Sequence, residues 1–205
     1  MDLDAHVRTA DFDRWASSRL ISDADARADL IALYAFEAEL MAIPTRVAQP
    51  LLAEMRYAWW ADQMDGVFAG DPRKGHPVLE RLSACVQRRG LDRSVLDDLI
   101  QAHIGRVHSE PHGLTDFFVR PMGEAVRILI GEPREAAETA GLIWGQISTG
   151  DIQAARTARS QANRQLRDLP VLAFPAVAHA CLIHREEPEA VKRLRITWAA
   201  LRGRI

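Results

Sequence analysis

The sequence is poor in several things, and each shortage excludes a class of function. Lys74 and Lys192 are its only lysines, and arginine supplies nearly all of the positive charge. Net charge is −2, with no basic patch or acidic tail, so no nucleic-acid partner is expected. The two cysteines, Cys85 and Cys181, sit in apolar surroundings without partner spacing, which suits reduced core thiols. No apolar run approaches the roughly 18 residues of a spanning helix. The first ten residues carry Asp2, Asp4 and His6 and lack the basic start and apolar stretch of a secretory leader. The expected location is cytoplasmic, at most peripheral on the inner membrane. A strand followed by a Gly-x-Gly turn is missing, which removes the dinucleotide and phosphate-loop fingerprints, and Ser148-Thr149-Gly150 is too short for a phosphate cradle.

What is present is helical periodicity. The 205 residues, 48% hydrophobic and 26% charged, suit one folded domain over residues 1–205. Ser22, with Asp25 three residues on, predicts the start of a first clear helix, carrying Leu30, Leu33, Tyr34 and Leu40 and stopped by Pro44. Further helices are expected from Pro50 to near Gly70, from Pro77 to Gly90, and from a cap at Ser94. Another is expected from Thr115 to Ile130, kinked or split at Pro121. The next should span Pro133 to Ile147, followed by an exposed, arginine-rich helix between Asp151 and Asp168. A short helix from Pro175 and a last one from Pro188 to Leu201 complete an all-α reading.

Candidate chemistry is sparse. His108 and His112 are four apart, but Pro111 breaks the face they would share, and no further ligands are evident, so no metal site is expected. His76, before Pro77, suits a helix start. Asp25 and Asp29 have the i, i+4 spacing that could bridge magnesium, yet acids in a first helical turn already answer the helix dipole. Asp62 and Asp65 lie near a helix C-terminus, beside Tyr57, Trp59 and Trp60, and have a better claim to a ligand. Glu37 and Glu39 are two apart and cannot share one helix face.

Three stretches resemble the squalene/phytoene synthase family in order and spacing. They are Leu33-Tyr34-Ala35-Phe36-Glu37-Ala38-Glu39-Leu40, then Glu54-Met55-Arg56-Tyr57-Ala58-Trp59-Trp60 followed by Asp62 and by Gly66 to Gly70, then His76-Pro77-Val78-Leu79. Phe118 to Gly131, and Ala140-Gly141-Leu142 with Gln146, are similar to later family segments. The resemblance implies a helical isoprenoid-synthase bundle, shorter than typical members, with the deficit after Gly131. Family enzymes join two prenyl diphosphates, held through magnesium by two Asp-rich motifs. Here the first motif's positions hold Met41, Ala42 and Thr45, and the second's hold Thr149, Ile152 and Gln153, with Asp151 a near miss in register. None of these six side chains can hold a hard cation as a carboxylate does.

One branch of the family, which includes the mitochondrial complex I assembly factor 6 and its bacterial relatives, reads Ala-Phe-Asn-x-Glu-Leu where the enzymes carry acids. Ala35 to Leu40 is similar, and so is Leu169-Pro170-Val171-Leu172-Ala173-Phe174-Pro175-Ala176. The resemblance therefore implies a non-catalytic binding or assembly protein without cofactor, acting on a protein partner or an apolar prenyl or lipid ligand. The alternatives are a prenyltransferase that uses magnesium and displaced acids, Asp62 and Asp65, and a prenyl- or lipid-binding module. A pocket retained from the family would be lined by Tyr34, Glu39, Arg46, Arg56, Trp60 and Gln146, with Glu39 paired to Arg56. Oligomeric state is left open.

Overall fold

The computed structural model describes residues 1–110, 113–184 and 186–205. Among them there is no strand. The α-helices are α1 (Leu3–Ala10), α2 (Phe12–Ser18), α3 (Ala24–Arg46), α4 (Pro50–Ala69), α5 (Pro77–Arg89), α6 (Arg93–Val107), α7 (Arg120–Ile130), α8 (Glu135–Ser148), α9 (Ile152–Gln165) and α10 (Glu189–Arg202). A π-helical turn, Thr115–Val119, leads into α7, and three 3-10 segments, Leu166–Asp168, Val171–Ala176 and Ala178–Cys181, precede α10. The all-α bundle expected for the isoprenoid-synthase class is what forms. Among the described residues no helix is long and apolar enough to cross a membrane.

Helix α3 is the axis. Every residue from Asp29 to Glu37 is buried, the pattern of a helix enclosed on all sides rather than a surface helix with one apolar stripe. It packs against α1, α2, α4, α5 and α7. A single apolar core runs from Val7 to Ile205 and includes Phe36, Tyr57, Leu79, Ile100 and Phe174.

Helix starts follow the aspartates. Asp2, Asp11, Asp23, Asp92 and Asp151 each cap a helix by accepting from backbone amides of the first turn. The caps expected at Ser22 and Ser94 belong instead to Asp23 and Asp92. Asp23 accepts from the amides of Asp25 and Ala26 at 2.9 and 3.1 Å. Ser94 donates its amide and its hydroxyl to Asp92, both at 2.9 Å. A charged acceptor answers the positive helix end better than a hydroxyl does. Helices α1 and α2 were not anticipated. His76 caps α5 through Nδ1 as its place before Pro77 suggested.

Pro44 does not stop α3, which continues to Arg46. A proline inside a helix leaves the carbonyl four residues earlier without its amide donor. Here that carbonyl is Leu40, and the Tyr57 hydroxyl of α4 donates to it at 3.1 Å. A tertiary contact thus repairs the break. Pro121 splits its segment as expected: the π turn ends at Val119, and the proline enters the first turn of α7, where its missing amide costs nothing.

Glycines set the approach of α8. A Cβ on Gly141 would lie 2.7 Å from the Phe118 carbonyl oxygen, and one on Gly145 would lie 2.9 Å from the Phe118 ring. Only glycine lets α8 close onto the π turn. The buried repair at Leu40 is testable. Tyr57→Phe should destabilise the fold by about 1–3 kcal/mol, because it orphans a buried carbonyl without changing shape. Urea denaturation of the two proteins measures this; equal midpoints would show that the carbonyl finds another donor.

Candidate functional site

A cavity of about 620 Å3 opens between α3, α6, the α1–α2 junction and the segment from Gly113 to Thr149. Tyr34, Glu37, Ala38, Met41 and Ala42 mark the face α3 turns to it, at the i, i+3, i+4, i+7, i+8 spacing of one helical stripe. Leu99, His103 and Arg106 come from α6; Leu114, Phe117, Phe118 and Trp144 supply apolar wall. The volume lies in the roughly 300–1,000 Å3 range of small-molecule pockets.

The floor is a charge cluster. Arg14 donates through Nε to Asp11 Oδ2 at 2.9 Å and through Nη1 to Glu37, and its guanidinium lies 4.9 Å from the centre of the Tyr34 ring. Burial would raise the Asp11 carboxyl, but the adjacent Arg14 charge and its hydrogen bonds win and hold it below the usual range. Glu37 goes the other way: burial pushes its carboxyl up, and Arg14 only partly offsets that. Burial likewise raises the Tyr34 phenol. The Tyr34 hydroxyl and Glu37 Oε1 are buried without a hydrogen-bond partner among the described residues.

The α6 wall holds a second cation. Arg106 Nη2 is 3.1 Å from His103 Nδ1, its Nη1 is 4.0 Å from the Met41 sulfur, and its guanidinium lies 5.6 Å from the centre of the Phe117 ring. His103 is buried, stacked 5.2 Å from Tyr57 and edge-on to Phe117 at 4.9 Å.

Residues 7–116 match the squalene/phytoene synthase family model. An all-α bundle around a cavity of this size fits that match, which covers more than half of the chain. The chain belongs to the squalene/phytoene synthase family. No curated protein and no solved structure matches it. The resemblances after residue 116, including Leu169 to Ala176, lie outside the matched segment.

The cavity residues do not fit the magnesium that the family implies. Met41, Ala42 and Thr149, which the resemblance sets at positions of the two acidic motifs, line the cavity and bring no carboxylate to it. Thr45 turns its hydroxyl back to the Ala42 carbonyl at 2.8 Å. Asp151, the near miss, is spent as the cap of α9, accepting from Ala154 at 3.1 Å. Among the described lining residues the carboxylates are Asp11 and Glu37, and Arg14 holds both. No group of three His, Cys, Asp or Glu side chains able to take a metal occurs among the described residues.

Of the six residues expected at the pocket, Tyr34 lines it. Glu39 is two positions from Glu37 and so faces elsewhere; it accepts from Arg46 at 2.7 Å and lies 3.1 Å from His6, not against Arg56, which is exposed on α4. Trp60 is buried away from the cavity, between Phe36 at 5.5 Å, Trp59 at 5.2 Å and His76 at 5.3 Å. Gln146 is half-buried off the cavity, with Oε1 unpartnered. Asp62 and Asp65 are exposed on α4, away from the cavity, and Asp65 pairs with Arg93 at 2.6 Å. Asp29 is buried and clamped by Arg88 at 3.0 Å and Arg89 at 2.7 Å, while Asp25 is exposed. His108 pairs with Glu54 at 3.3 Å, and His112 lies outside the described residues. Both cysteines are free, and burial pushes each thiol up to about 12, far from reactive.

Sequence reasoning missed Asp11, Arg14, His103 and Arg106. One signal existed: Glu37 is a charge inside an otherwise apolar run, and such a residue demands a partner. Removing that partner should be costly. Arg14→Met leaves two facing carboxylates part-buried and unpaired, so a loss of about 3–5 kcal/mol is expected at pH 7. Without Arg14 both carboxyls bind protons more tightly folded than unfolded, so the deficit should shrink as pH falls toward 5. Denaturation at the two pH values checks this, and an equal deficit at both would contradict it.

Proposed function

We propose that this protein is a non-catalytic member of its family that works by binding an elongated apolar ligand, of prenyl or lipid type, in the cavity between α3, α6 and α8. One observation carries the reading. The cavity is walled by Leu99, Leu114, Phe117 and Trp144, and it has Met41, Ala42 and Thr149 where the resemblance would put acids. Ionising an allylic diphosphate needs the developing charge neutralised by a Lewis acid. With Asp11 and Glu37 held by Arg14, no carboxylate pair is left on that wall to supply one. Binding, by contrast, needs only the apolar surface and the shape.

An assembly role is the second reading, and a different observation favours it. Val171 and Leu172 are 82% and 72% exposed. They lie in the segment that resembles the complex I assembly factor branch, and exposed apolar side chains suit a protein partner. Loss of co-purification with complex I subunits on Val171→Ser together with Leu172→Ser would support that role.

The test of the main reading has two arms. Purified protein incubated with farnesyl or geranylgeranyl diphosphate and magnesium should release no diphosphate and form no coupled product. Native mass spectrometry of the same preparation should show a co-purified apolar ligand, lost on Ala38→Trp, which fills the cavity wall. Turnover in the first arm would overturn the reading in favour of a prenyltransferase.

A further inference from the structure

The binding reading says where a ligand sits but not what holds its polar end. The charges around the cavity are unevenly spread. At the floor two carboxylates, Asp11 and Glu37, face one guanidinium, Arg14, so an anion entering there would meet excess negative charge. Arg106 stands apart from that cluster. An arginine in the last turn of a helix ordinarily folds back over the terminal carbonyls or pairs with an acid. Arg106 has neither kind of partner among the described residues; it reaches from α6 to the Met41 sulfur and the His103 ring, with the Tyr57 hydroxyl nearby, all neutral or weak acceptors. Met41 is half exposed, and Arg106 is only partly buried, so this is the mouth of the cavity. Met41 is also one of the positions at which the first acidic motif is missing.

We infer that Arg106 is the head-group anchor of the cavity, and that the ligand is an anionic amphiphile with a carboxylate or phosphate end. The guanidinium takes up the charge that family enzymes neutralise with bound cations, and does so without metal. A planar fork of N–H donors matches both head groups. The chain then runs inward along Leu99, Phe117 and Trp144 toward the floor. His103, stacked on Tyr57 and edge-on to Phe117, braces the guanidinium from behind.

This inference rests on the binding reading, and one experiment separates the two. Calorimetric titrations compare tetradecanoate, dodecyl phosphate and tetradecan-1-ol, each below its micelle concentration and with a metal chelator present. The expected result is that at least one of the two anions binds the wild-type protein at least tenfold more tightly than the neutral alcohol. Arg106→Gln should collapse that preference to within about twofold, and Arg106→Lys should restore part of it. A collapse without rescue in a variant that melts well below the wild type would count as misfolding and overturn the assignment. Equal affinity for acid and alcohol in the wild type, or a preference that survives Arg106→Gln, would overturn the inference while leaving the binding reading in place. Anion binding that appears only on adding magnesium would overturn it as well. Failure of all three ligands to bind would remove the binding reading and this inference with it.

Discussion

The structure depends on one buried charge cluster, the Arg14 guanidinium held between Asp11 and Glu37. Glu37 lies near the middle of a helix whose residues from Asp29 to Glu37 are all buried, and an uncompensated carboxylate there would cost several kcal/mol. Arg14 meets that cost and in doing so fixes α2 against α3. The same contact lays the guanidinium over the Tyr34 ring and shapes the cavity floor. It also decides what the floor cannot do. Its two carboxylates are already paired with the Arg14 guanidinium.

The walls follow from close packing on the other side. Gly141 and Gly145 let α8 press its backbone onto the π turn at Phe118, which brings Trp144 and Thr149 to the same cavity as Met41 and Ala42. Side chains at those glycines would collide with backbone or ring and push the wall outward. Met41, Ala42 and Thr149 are therefore brought to one space, and none of them is a carboxylate. The proposed binding role rests on that lack of carboxylates on an otherwise apolar wall.

Much of the fold was legible because its signals are local. Proline at Pro50 and Pro77 and glycine at Gly70 and Gly90 bound α4 and α5 where their backbone preferences put them. Pro121 broke its helix for the same reason. Helices α1 and α2 escaped notice because eight and seven residues hold too few turns for an apolar period to stand out. Pro44 misled because the rule about helix ends assumes that the freed carbonyl has no other donor, and Tyr57 supplied one from another helix. Tyr34 was legible as a pocket residue from its place on α3. The remaining pocket residues were not. Glu39 and Glu37 are neighbours in sequence but point to different sides of α3, and Trp60 belongs to an aromatic cluster packed elsewhere.

The sequence by itself determined the helical class and the family, because each of these rests on spacing within a helix or a short stretch. The tertiary structure decided which charges meet. Arg14 is 23 residues from Glu37, and Arg106 is 65 residues from Met41. Read alone, each arginine is an ordinary helix-surface residue, and no periodicity links it to its partner. Only docking α2 against α3, and setting α6 across the cavity from it, turns one of them into a floor and the other into a charged mouth, because at such separations contact is set by how helices dock rather than by where residues fall along the chain.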